Sequence, residues 1–131
     1  MPSRREARRA ALNILYKADL SGVNPADALS ADEEAGLAID EFTRELVSGV
    51  SGRLGELDEL IGQASRDWTV ARMPAVDRAA LRLACYELLA GEVSPAVAIS
   101  QAVEAVKELS TEESGSFVNG VLGQIARRDS E

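Results

Sequence analysis

The sequence contains no histidine and a single cysteine, Cys85. Without histidine the commonest general base near neutral pH is missing, and Cys85 has no imidazole to activate it as a nucleophile. The same shortage excludes zinc-ligand spacing. One thiol forms no intramolecular disulfide, so nothing suggests a secretory scaffold. Cys85 itself reads as a small buried hydrophobe on an apolar helix face. Glycines are scattered through helical segments rather than following a strand, so no phosphate-cradling loop is present. No apolar run approaches the roughly 18 residues that span a bilayer. The basic N-terminus is followed by no apolar h-region, so no secretory signal peptide is expected. These absences predict a non-enzymatic, cytoplasmic chain with no catalytic, metal or cofactor site.

Aromatic residues make up only 4% of the chain, yet 46% is hydrophobic. The apolar content is mostly Ala, Leu and Val, which suits close helix packing better than a sheet. At 131 residues the chain is long enough for one domain with a real core. Helical periodicity runs nearly throughout. Ala7, Ala11, Ile14, Leu15 and Ala18 share one face of a helix expected over Arg4–Leu20, stopped at Ser21–Gly22. Asn24–Pro25 reads as an N-cap with proline at N1. That second helix is expected to be short, with Ser30–Gly36 a loop. Leu46, Val50, Leu54, Leu57 and Ile61 mark a long third helix over about Asp40–Ala64, with Gly49, Gly52 and Gly55 signalling a kink or close packing. Trp68 is expected to plug two helical layers. After Pro74 a wide apolar face runs from Val76 to Leu89, ended by Gly91. Ser94–Pro95 opens the next helix, and Ser110-Thr-Glu-Glu113 matches a capping box opening the last. The prediction is an all-α fold of six or seven helices.

Net charge is −8, but it is unevenly placed. Residues 1–17 carry Arg4, Arg5, Arg8, Arg9 and Lys17 against Glu6 alone, a basic pole of +4 on a body of −12. Arg4/Arg8 and Arg5/Arg9 are like-charge i,i+4 pairs at a helix N-terminus, where the macrodipole favours anions; each cation there costs a few tenths to about 1 kcal/mol. Glu6 offsets part of that. Phosphate contacts would reverse the sign, because the protruding N–H groups and guanidinium forks both favour an anion. The plainer reading is a solvated basic tail. Tyr16 and Phe117 are candidates for stacking on unpaired bases, or else core residues.

Pro74-Ala-Val-Asp-Arg-Ala-Ala-Leu-Arg-Leu-Ala-Cys-Tyr-Glu-Leu-Leu89, Ser94-Pro-Ala-Val-Ala-Ile-Ser-Gln-Ala-Val-Glu104 with Ala105-Val-Lys107, and Phe117-Val-Asn-Gly-Val-Leu122 resemble the NusB transcription antitermination factors. Arg4-Arg-Glu-Ala-Arg8 and Ala11-Leu-Asn-Ile-Leu-Tyr16 resemble that family's arginine-rich first helix. The likeness spans the chain in order and is loosest between about Gly22 and Met73. It implies a single domain of seven helices over 1–131, in two packed subdomains of roughly 1–70 and 71–131. It also implies binding of single-stranded boxA-type RNA together with NusE, a small-subunit ribosomal protein, within the RNA polymerase antitermination complex that supports ribosomal RNA transcription. By position, the RNA surface would be Arg4, Arg5 and Arg8, with Lys107, Glu113 and Phe117 nearby; Arg9 is added from its charge. Asp77, Tyr86 and Glu87 would face the partner, and the acidic body suits a basic protein. The protein would be a monomer or a homodimer. Two other readings stay open: the N-terminal NusB-like module of a ribosomal RNA cytosine methyltransferase, and a helical interaction module that binds no RNA.

Overall fold

The computed structural model describes residues 2–66 and 68–129; the C-terminal Glu131 lies outside them. Among the described residues there are seven α-helices and no strand: α1 Arg4–Ser21, α2 Pro25–Glu34, α3 Glu41–Gly52, α4 Leu54–Ala64, α5 Ala75–Ala90, α6 Pro95–Leu109 and α7 Glu112–Asp129. A 3-10 turn over Val70–Arg72 leads into α5. The all-α expectation holds.

Helix ends follow local chemistry. Ser3 caps α1 by accepting from the Glu6 N–H at 3.0 Å, while Glu6 Oε1 accepts from the Ser3 N–H at 3.2 Å, a reciprocal capping box. Gly22, at φ 68°, closes the other end in the left-handed conformation. Asn24 caps α2 ahead of Pro25, as expected. That helix continues to Glu34, however, where a loop is predicted. Ala and Glu are strong helix formers even with little to bury, and Arg44 fastens Glu33 to α3 at 2.6 Å. The capping box at α7 is also displaced by one residue. Thr111 Oγ1, rather than Ser110, accepts from the Ser114 N–H at 3.0 Å.

The expected long third helix is two helices. It breaks at Arg53, whose φ of −124° and ψ of 18° leave the helical region between α3 and α4. Gly49 and Gly52 weaken the segment just before the break. Trp68 is not a plug: it is 48% exposed, and its carbonyl accepts from Ser65 Oγ at 2.9 Å.

The core is built around α5, which packs against α1, α3, α4, α6 and α7. Ala79, Ala80, Leu81, Leu83, Ala84, Cys85 and Leu88 are all buried on it, and the small residues let neighbouring helices approach closely. Two arginines on α5 bind its neighbours. Arg82 forms a forked pair with Asp58 of α4, both bonds 2.8 Å, and reaches Asp19 of α1 at 3.3 Å. Arg78 meets Asp19 through Nε at 3.0 Å and donates to the carbonyls of Val70 and Met73, both at 3.0 Å. Burial opposes ionisation of Asp19, but Arg78 and Arg82 outweigh it and hold its carboxyl below the usual range.

Candidate nucleic-acid interface

The four arginines of α1 separate into two pairs, as the helical period dictates. Arg4 and Arg8 turn toward α3 and share the ring of Phe42, with guanidinium carbons 3.9 and 5.3 Å from its centroid. Arg5 and Arg9 turn toward α6. Arg5 donates to Glu104 Oε1 through Nε at 2.9 Å and Nη2 at 2.6 Å, and to Glu108 at 3.1 Å. Arg9 Nη1 donates to Glu108 Oε2 at 2.7 Å. Hydrogen bonding to Glu104 raises the Arg5 pKa, and hydrogen bonding from Arg9 lowers that of Glu108. The cost of clustering four cations at a helix N-terminus is thus offset by tertiary partners and by the Ser3–Glu6 cap.

Arg8 has a different part from the other three. Its side chain is 9% exposed and grips Glu87 of α5, 6% exposed, through Nε at 2.9 and 3.1 Å and Nη2 at 3.0 Å. A residue expected on the RNA surface and one expected on the partner surface are therefore each other's partner. Both side chains are buried at the contact between α1 and α5. Asp77 is buried as well. It is 2% exposed in the first turn of α5, and burial raises its pKa while the Ser114 hydroxyl partly offsets this. Asp77 and Tyr86 stand nine residues apart, about 14 Å along α5.

Tyr86 is half-buried. Its ring lies on Gly49, where an added Cβ would overlap it. Here the glycine is required by close approach. Tyr86 floors a groove with Phe42, Leu46 and Val93, edged by Glu45 and Glu92. Lys107 sits on α6, the helix that meets Arg5 and Arg9. Its stem packs over Gly115, and its Nζ lies 3.6 Å from Glu112. Glu113 is exposed, and Phe117 is half-buried against the core on α7. Tyr16 is also half-buried, bordering a hollow with Arg9, Leu12, Asn13, Val76 and Leu109. Arg5 and Arg9 thus meet α6 from α1, Lys107 leaves α6 toward α7, and Arg4 lies on the flank toward α3.

Phe42, Glu104 and Glu108 were not singled out from the sequence. Glu104 and Glu108 repeat the i,i+4 spacing of Arg5 and Arg9 with opposite sign. That match is informative only once α1 and α6 are known to face each other.

Residues 5–127 match the NusB family model. The chain belongs to the NusB family. The transcription antitermination protein NusB of Saccharopolyspora erythraea is 49% identical over 130 residues, covering 96% of this chain and 88% of the relative. NusB of T. maritima superposes with a TM-score of 0.85 at 33% identity, covering 96% of this chain and 92% of that one. A crystal structure of the antitermination factors NusB and NusE in complex with double-stranded RNA superposes with a TM-score of 0.83 at 32% identity, covering 95% of this chain and 96% of that one. Apart from Arg4, the arginines of α1 and the α5–α7 motifs fall within the matched span of the NusB family.

Proposed function

We propose that this chain is a non-catalytic antitermination adaptor of the cytoplasm, binding boxA-type single-stranded RNA jointly with the ribosomal protein NusE as part of the RNA polymerase antitermination complex. The observation that carries the proposal is the arginine pair Arg5 and Arg9 set beside α6, the helix that bears Lys107, in a chain of the NusB family. Curated relatives matched over most of their length are antitermination proteins, which favours this reading over a methyltransferase module. No helix of the described residues is long and apolar enough to cross a membrane, in keeping with a role beside nascent RNA.

In this reading Arg4, Arg5, Arg9 and Lys107 meet phosphates, Phe117 offers an aromatic edge to a base, and Glu113 borders that face. Arg8 holds the helix to α5 rather than touching RNA. The Tyr86 groove, with its acidic edge, receives the partner. The two subdomains, roughly 1–70 and 71–131, would meet along α5. Two linked contacts raise effective affinity without either being tight alone. The solved relative holds double-stranded RNA, so a duplex of the same sequence is the natural competitor.

The test is the salt dependence of RNA binding. Arg5→Ala/Arg9→Ala should weaken binding and lower the log–log salt slope by about one unit for each phosphate no longer neutralised. An unchanged slope would remove these arginines from the interface. Tighter binding of the duplex would overturn the single-strand assignment.

A further inference from the structure

We propose that Glu104 and Glu108 are internal competitors for RNA phosphate, setting how much additional contact an RNA must offer before it binds. The inference rests on the RNA-binding reading above and adds residues that the arginine motif does not contain.

The geometry is that of a displaceable counter-anion. Glu104 fills the Nε and Nη2 donors of Arg5, the edge on which a phosphate would sit side by side, at 2.9 and 2.6 Å. Glu108 takes Arg9 Nη1 at 2.7 Å and also reaches Arg5 at 3.1 Å. Four charges form a closed square of zero net charge. Each like-charged i,i+4 pair on its own helix would be unfavourable without the other. Arg5, Glu104 and Glu108 are accessible, at 47%, 42% and 50% exposed, while Arg9 is 23% exposed. Ion pairs this exposed contribute little to folding. The backbones of α1 and α6 pack far less closely than those of α1 and α5, so the square bridges two helices chiefly through side chains that can separate. The contrast with Arg8 and Glu87, 9% and 6% exposed, is direct. One arginine–glutamate pair is locked into the core; in the square both carboxylates and Arg5 lie at the surface, where an incoming anion can exchange with a carboxylate, and Arg9 is partly exposed beside them.

An RNA phosphate must therefore displace a carboxylate before it gains an arginine. Weak, sequence-independent attraction is blunted most, because it has nothing else to offer. RNA that adds base contacts, or arrives with a partner protein, overcomes the competition.

The experiment is a double-mutant cycle read by fluorescence anisotropy at low salt, with a labelled single-stranded RNA of scrambled sequence and a boxA-type RNA. Its members are the unsubstituted protein, Glu104→Gln/Glu108→Gln, Arg5→Ala/Arg9→Ala, and the quadruple variant. Removing the carboxylates should tighten binding of the scrambled RNA about two- to tenfold, the displacement of one or two exposed pairs. The gain should vanish when the arginines are already alanine. Thermal unfolding should confirm that the glutamine variant melts close to the unsubstituted protein. No gain, or an equal gain without the arginines, would overturn the proposal, because the carboxylates would then act only through general charge. Binding that Arg5→Ala/Arg9→Ala leaves unchanged would refute the RNA-binding reading itself, and the competition with it.

Discussion

Arg8→Ala should damage the fold more than the RNA surface. The Arg8–Glu87 pair has three hydrogen bonds of 2.9, 3.1 and 3.0 Å between side chains that are 9% and 6% exposed. Removing one partner leaves a buried charge without its counter-charge, which costs about 3–5 kcal/mol. Domains of this size are typically stable by about 5–15 kcal/mol, so the loss is a large fraction of the total. At about 3–5 °C per kcal/mol for a chain of this length, the melting temperature should fall by about 10–20 °C. Replacing both partners with apolar residues of similar volume removes both desolvation penalties and is commonly neutral or better. Arg8→Met/Glu87→Leu should therefore recover most of the missing stability. The assay is thermal unfolding followed by circular dichroism for both single alanine variants and the double replacement, with RNA affinity measured well below each midpoint. The double variant should bind RNA within about twofold of the unsubstituted protein, under the 1.4 kcal/mol that a tenfold change represents. An Arg8→Ala melting point within about 2 °C of the original would refute the structural role, given the same stability scale. A well-folded double variant that binds RNA as poorly as Arg5→Ala would return Arg8 to the interface.

Other consequences follow from the packing. Gly49→Ala should displace the Tyr86 ring and destabilise the domain by about 1–3 kcal/mol, seen as a lowered urea midpoint; an unchanged midpoint would mean the ring moves freely. Asp19 has a folded pKa below its ordinary value, so its stabilisation is present above the ordinary carboxylate range and lost as pH falls through the folded value. Asp19→Asn should lower stability at neutral pH and flatten its decline in acid; a parallel decline in both proteins would contradict this. Asp77 has the opposite sign. Its pKa is raised by burial, so its ionisation destabilises the fold above the raised value and has no such effect below the ordinary one. Asp77→Asn should raise the melting temperature at pH 7 but not in acid, and a drop at pH 7 would show that its carboxylate is needed.

Much of the fold was legible because periodicity and caps agree with tertiary demand. The Ala7–Ala11–Ile14–Leu15–Ala18 face is buried on α1, and the Asn24–Pro25 and Ser94–Pro95 signals open α2 and α6. Failures occurred where local and tertiary signals part. The Leu46-to-Ile61 stripe keeps its period across Arg53 although the backbone breaks there, because both halves wrap the same central helix. Ser30–Glu34 lacks core residues but has helix formers and an ion pair to α3. Trp68 is exposed despite its apolar mass, which composition alone does not reveal.

The site was legible in its charge and not in its pairing. Arg4, Arg5, Arg8 and Arg9 stand out as cations crowding a helix N-terminus. Which of them reach solvent depends on Phe42, Glu87, Glu104 and Glu108, at sequence separations of 34 to 103 residues. A single sequence carries no record of such contacts. For Asp77 and Glu87 the family resemblance named the positions but not their burial.

The most direct test of the adaptor reading is fluorescence anisotropy with a labelled boxA-type single-stranded RNA, titrated with this protein alone and again in the presence of NusE. The account predicts selective binding over a scrambled RNA, strengthened by NusE and weakened by Arg5→Ala/Arg9→Ala. Equal binding of both RNAs, or none even with NusE present, would contradict it and leave a NusB-family fold used for protein contacts alone.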